Sequence, residues 1–337
     1  MNLHKALLLS AAVSLAALAT SDALAQGRQA EFWWLQKSPG GVYKPPMRPL
    51  WKLADLKKMH AGQHNWSEQI IKDPEQDVTY NSGAPGFAIT PRMHPDTYSA
   101  FVIISGQVAF NVEGQQPVTG VRGSIIAIPK TTVFSAEVKG DTDALWVEIN
   151  PINYKTIYPA SEPKPAALPG FEVVKVQFPH KPGKLHPPTQ FYWNLWDAIA
   201  SCAPRGPTVV EEHIYINPLI NYANPDDNKC AKPGAAGGGE GGNPGMRGVS
   251  KPFDPHSTFG HVHPGPAEWW IVQAGHIDGK FENMGDYKAE EGDVLYAAPM
   301  GWHQMGVEGP GPSVRTAVGG YELINMFNTA DLDKAGQ

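Results

Sequence analysis

Short apolar bursts and period-two alternation dominate this chain, and helical stripes are few. The clearest pattern runs from Gly260 to Met305, GHVHPGPAEWWIVQAGHIDGKFENMGDYKAEEGDVLYAAPMGWHQM. His261 and His263 are one residue apart, so on a strand both side chains point to one face. Glu268 opens the apolar run Trp269-Trp270-Ile271-Val272, which predicts the next strand. Two successive tryptophans on a strand cannot both face inward. A turn at Gly275 leads to a third strand in HIDGKFE, and Gly292-Asp293 opens a fourth, Val294 to Ala297. Pro299-x-Gly301 then makes a tight turn that returns His303 over the same face. Elsewhere WKLADLKKMH predicts a short helix with Asp55 in its first turn but no good cap, and FYWNLWDAIASC predicts a short amphipathic one. Thr208 to Ile216 alternates as a strand, and Phe171 to Phe178 holds one more.

A repeat extends this pattern. Shifted by 169 residues without a gap, Arg92 falls on His261, His94 on His263, Ser99 on Glu268, Gly106 on Gly275, Gly123 on Gly292 and Phe134 on His303. The turn glycines are kept, but only His94 retains donor chemistry. One histidine cannot hold a divalent ion, which needs three or four converging donors. Arg92 is placed either to pair with Asp96 or to recognise a ligand carboxylate through its fork of donors.

Composition supports an all-β class. Charged residues make up 18% of the chain, whereas Gly (35) and Pro (32) are abundant, as many short strands and long loops require. The predicted organisation is a signal peptide over 1–25, an N-terminal arm over 26–85, a first barrel over 86–160, a Pro- and Lys-rich linker with the short helix over 161–207, and a second barrel over 208–330. The signal peptide rests on Lys5, an apolar segment from Ala6 to Ala19, and Ala23-Leu24-Ala25 at the cleavage site, which implies Sec-type export to the periplasm or beyond. Cleavage there leaves no membrane segment. In an exported chain Cys202 and Cys230 read as one disulfide. A net charge of −6 without a basic run excludes nucleic acid as a natural partner. The run AAGGGEGGNPG cannot bury a core and forms a loop leading toward the His261 strand. His60, His64 and Trp66 lie close together in the arm, where they either pack on the surface or reach a neighbouring pocket.

The donors His261, His263, Glu268 and His303 are spaced to converge on one metal ion. Their arrangement resembles the cupin superfamily. The first cupin motif is matched by His261-x-His263, Glu268 after four residues and Gly275 after six more; the second by Gly292, Asp293, Pro299, Gly301 and His303, with its turn shifted by one residue. The motif's frequent Asn, four residues beyond the histidine, is Val307 here. The resemblance implies two jelly-roll (double-stranded β-helix) barrels, of which the second carries the site. Three imidazoles and a carboxylate accept copper, manganese or iron, and outside the cytosol copper is favoured slightly on intrinsic affinity.

Trp269, Trp270, Tyr296, Met300, Trp302 and Met305 give the site apolar surroundings suited to a small aromatic or enolic substrate. The resemblance implies an oxidoreductase, specifically a dioxygenase, with Glu268 as ligand and catalytic base. A lyase like oxalate decarboxylase, whose AEW run AEWWIVQAG resembles, is the alternative reading, and a non-catalytic binding protein is a third. An arm beside barrel edges makes a homodimer plausible.

Overall fold

The computed structural model describes residues 42–159, 174, 177, 180–202, 209–222, 247–249, 256, 260–307, 312–320 and 324–327. The expected signal peptide, the Gly-rich run, Cys230 and most of the Phe171–Phe178 strand lie outside the described residues. Strand β1 (Leu50–Trp51) and helix α1 (Leu53–Met59) come first. They precede β2 (Trp66–Lys72), β3 (Gln76–Gly83), β4 (Ala88–Arg92), β5 (Ser99–Ser105), β6 (Gln107–Val112), β7 (Val118–Gly120), β8 (Ser124–Ile128), β9 (Phe134–Lys139) and β10 (Ala144–Pro151). A connecting segment contributes β11 (Tyr192–Asn194) and α2 (Leu195–Ala200). Then follow β12 (Val209–Glu211), β13 (Ile214–Tyr222), β14 (Arg247–Val249), β15 (His261–Val262), β16 (Glu268–Ala274), β17 (His276–Phe281), β18 (Gly285–Glu290), β19 (Val294–Ala297), β20 (His303–Gly306), β21 (Pro312–Gly319) and β22 (Met326–Phe327).

These strands form two barrels of two sheets each. In the first, β11-β8-β5-β10-β3-β2 faces β4-β9-β6-β7; in the second, β1-β19-β16-β21-β13-β12, with β14 beside β13, faces β18-β17-β20-β15-β22. The central strands are continuously apolar because both of their faces are covered. On β16, Trp270 and Val272 fill the second barrel with Phe281, Leu295 and Met305, while Trp269 and Ile271 enter the seam against Ile71, Tyr80 and Val147 of the first barrel. The paired tryptophans do face opposite ways.

Several elements differ from the sequence expectation. Residues 66–83 are not arm: β2 pairs with β3, and β3 with β10, in the first barrel's larger sheet. Their polar residues disguise them, since β3 (QDVTYNSG) buries Gln76, Asn81 and Ser82 in or near the seam. The strand expected from Thr208 to Ile216 is a hairpin, β12 and β13, turning at Glu212, whose φ is +35°. An additional strand, β18, lies between the predicted third and fourth; its GDYKAE sequence is mostly exposed and turns only Tyr287 and Ala289 to the core.

The edge strands are exchanged. β1 pairs with β19 of the second barrel, although the chain next enters the first; β11 pairs with β8 of the first barrel, although the chain next enters the second. Each is followed by its short helix, and each helix start meets a matching glycine. A Cβ on Gly292 (φ +86°) would lie 2.5 Å from Leu53 Cδ2, and one on Gly123 (φ +79°) would lie 2.7 Å from the Trp196 ring. The cap missing from the sequence around α1 comes from Asp293: its Oδ1 accepts from Leu53 N at 2.8 Å while Oδ2 accepts from Glu290 N at 3.0 Å. Asp293→Ala should therefore cost about 1–2 kcal/mol in chemical denaturation, the usual cost of losing a helix cap.

Candidate metal centre

β15 and β20 run antiparallel, with His261 directly opposite His303. His263 follows one residue past the end of β15, and Glu268 opens β16 on the facing sheet. All four predicted donors are brought together: one ligand atom from each lies within 4.8 Å of the others. The three Nε2 atoms aim at one carboxylate oxygen. Glu268 Oε2 is 2.8 Å from His263, 3.3 Å from His303 and 3.8 Å from His261. His263 and His303 are buried, and His261 remains 19% exposed at its side chain, which marks the side from which a ligand can approach.

Backbone carbonyls fix two of the rings. His263 Nδ1 is 3.1 Å from the Ile324 carbonyl and His303 Nδ1 is 3.1 Å from the Gly301 carbonyl. A carbonyl oxygen only accepts, so each Nδ1 is the protonated nitrogen and each Nε2 presents a lone pair inward. Burial, reinforced by the neighbouring His303, pushes the His261 imidazole down to about 4, against the pull of Glu268. For Glu268 burial acts upward, but the surrounding imidazoles outweigh it and hold the carboxyl well below the usual carboxylate range. The outcome is a buried anion facing three imidazole nitrogens.

That arrangement is a test of whether an ion fits. With the ring proton on Nδ1, Nε2 and a carboxylate oxygen have no hydrogen to share, so the 2.8 Å approach of His263 to Glu268 requires a proton or a cation between them. His261 Nε2 is buried without a hydrogen-bond partner, because 3.8 Å is too long for one. A single divalent ion would satisfy all four donors, and the set is one that transition ions accept.

Trp270 stands edge-on to His303 at 5.4 Å between ring centroids, and Phe327 tilts over His261 at 5.3 Å. Met305 packs in the barrel interior. Trp269 and Tyr296 instead belong to the seam and do not reach the site. Trp302 packs against Gly260, where a Cβ would come within 2.4 Å of its ring, and Met300 adopts φ +61° at the shifted turn. Phe327 and the Ile324 carbonyl were invisible to sequence reasoning, since neither belongs to a motif and backbone acceptors leave no residue signature.

The first barrel repeats the geometry without the donors. Arg92 lies opposite Phe134 across β4 and β9, as His261 lies opposite His303. Its guanidinium pairs with Glu148 at 2.8 Å and not with Asp96, which binds Lys155 instead. Strand pairing, not nearness in sequence, selects the partner. In the arm region, His60 stacks on Trp66 at 4.7 Å and bonds Glu68, while His64 pairs with Asp143, which is surface packing.

The fold is that of a two-barrel cupin, with a His-His-Glu-His cluster in the second barrel. The chain matches no protein-family model and no curated protein sequence. Among solved structures, salicylate 1,2-dioxygenase from Pseudoaminobacter salicylatoxidans, as its adduct with gentisate, aligns with a TM-score of 0.55 at 10% identity, covering 83% of this chain and 84% of that one. A second structure of that dioxygenase gives 0.55 at 10% identity, covering 86% and 90%. The formate complex of Lactobacillus farciminis oxalate decarboxylase gives 0.48 at 13% identity, covering 86% and 90%.

Proposed function

We propose that this protein is a mononuclear metal-dependent oxidoreductase, a dioxygenase acting on a small aromatic or enolic substrate. The observation that carries the reading is the convergence of three Nε2 lone pairs and one carboxylate on a common point. The two-barrel fold shared with salicylate 1,2-dioxygenase supports it. A bound divalent transition ion would supply Lewis acidity and, if redox-active, electron transfer between substrate and dioxygen.

The chain's own residues set the rest. His261, His263 and His303 would hold the ion through Nε2, with the latter two oriented by their Nδ1 bonds to Ile324 and Gly301. Glu268 is the fourth donor and, where it releases the ion, the base that takes a proton from a substrate hydroxyl at Oε2. Trp270 and Phe327 exclude water on two sides of the cluster. A substrate enters over His261, the least buried donor. Copper, manganese and iron all suit this donor set. Copper leads if the chain is exported through its predicted signal peptide and loads outside the cytosol, in the periplasm.

Elemental analysis of the purified mature protein should give about one equivalent of copper, iron or manganese, as expected for one four-donor site. Oxygen uptake with a phenolic or enolic substrate should accompany it and disappear on chelation. Carbon dioxide release from a dicarboxylate without net oxygen uptake would replace the dioxygenase by a lyase. No metal after reconstitution would remove the enzyme reading.

A further inference from the structure

The first barrel has a polar cluster at the place where the second holds its donors. Its charges already cancel one another. Arg92 donates to both Glu148 oxygens at 2.8 and 3.0 Å, Asn150 Nδ2 donates to the same carboxylate at 3.1 Å, and Ser99 donates to Asn150 Oδ1 at 2.6 Å. An ion pair closed in this way leaves neither a spare carboxylate for a metal nor a spare guanidinium for an anion.

Two polar atoms of the cluster are nevertheless buried without a hydrogen-bond partner, His94 Nε2 and Arg92 Nε. His94 is 2% exposed. Its Nδ1 donates to the Lys155 carbonyl at 2.9 Å, so Nε2 is left as an acceptor. Burial lowers its proton affinity and keeps the ring neutral. Arg92 Nε–H is a donor. An unmet acceptor and an unmet donor each cost free energy when buried, and a group that is both would satisfy them together. A hydroxyl is such a group.

The walls around these atoms are aromatic. Phe134 lies 5.6 Å from the His94 ring and 5.4 Å from the Arg92 guanidinium carbon, and Tyr154 stands edge-on to His94 at 5.0 Å. Arg92 and Tyr154 are partly exposed, so the cluster borders the surface at these two residues. We infer that the first barrel binds a small neutral phenol, whose hydroxyl donates to His94 Nε2 and accepts from Arg92 Nε–H while its ring packs against Phe134 and Tyr154. This site is separate from the metal cluster and does not depend on the reaction proposed for it.

Phenol, anisole and benzoate are the probes. The full-length protein, labelled with nitrogen-15 at histidine and studied both as purified and after chelation, should show the His94 Nε2 resonance moving saturably with phenol in both states. Anisole, which cannot donate, and benzoate, which brings an unbalanced charge, should bind at least tenfold more weakly. His94→Phe should lose the saturable binding and His261→Phe should keep it. If His94→Phe does not fold, the wild-type titration decides alone. An unmoved His94 resonance, equal binding of anisole, or a crystal grown in phenol that shows only an ordered water between His94 and Arg92 would overturn the site.

Discussion

Glu268→Ala is expected to lower oxygen uptake on a phenolic substrate by at least ~10²-fold, the lower end of what a positioned general base contributes. Two losses combine in this variant. The cluster keeps three imidazoles but loses its only anionic donor, and the proton acceptor beside the substrate disappears. Glu268→Gln separates them, because the amide keeps an oxygen of similar reach without the charge or the basicity. Metal occupancy measured beside turnover gives the split: Gln should retain more ion than Ala while both remain inactive. Either variant turning over at the wild-type rate with metal bound would remove Glu268 from the chemistry.

The largest stability effect is expected at Gln76, on the seam side of β16. This side chain is 1% exposed in the seam between the barrels. Its amide donates to the Gly319 and His213 carbonyls at 2.8 and 3.1 Å, and its oxygen accepts from Trp269 Nε1 at 2.8 Å. Gln76→Leu keeps roughly the same volume but takes a buried partner from the Gly319 carbonyl and from the Trp269 indole N–H. At roughly 1–3 kcal/mol for each unsatisfied group, the variant should lose about 4 kcal/mol. A lowered denaturant midpoint at unchanged slope would show this as a stability loss. Gln69→Leu is the comparison, since Gln69 is only half-buried and bonds a single partner, Asp77. It should stay within about 1 kcal/mol of the wild type. Equal midpoints for the two variants would mean that the seam does not depend on Gln76.

The donor set was legible because its information is local. His261 and His263 share a face by strand periodicity, and Glu268 and His303 sit at the motif spacings that set where each strand begins. The repeat was legible for a related reason: Gly106, Gly123, Gly275 and Gly292 all take positive φ, which few other residues tolerate. What could not be read depends on pairing between distant segments. The choice of Glu148 over Asp96 as partner of Arg92 follows from neighbouring barrel strands. The cap on α1 is supplied by Asp293, 240 positions away. β2 and β3 were read as arm because a strand that faces another barrel carries buried polar residues, and their sequence then looks like loop.

The exchanged edge strands also constrain how the chain is made. Leu50 and Trp51 leave the ribosome long before their partners Leu295 and Val294. The second barrel's large sheet therefore stays open along one edge until β19 has been made, and closing it joins segments almost 250 residues apart, a pairing that slows folding. Expressed by itself from residue 209 onward, that barrel would present β19 as an unpaired edge carrying a buried-type VLYA sequence, open to any other chain that brings a strand.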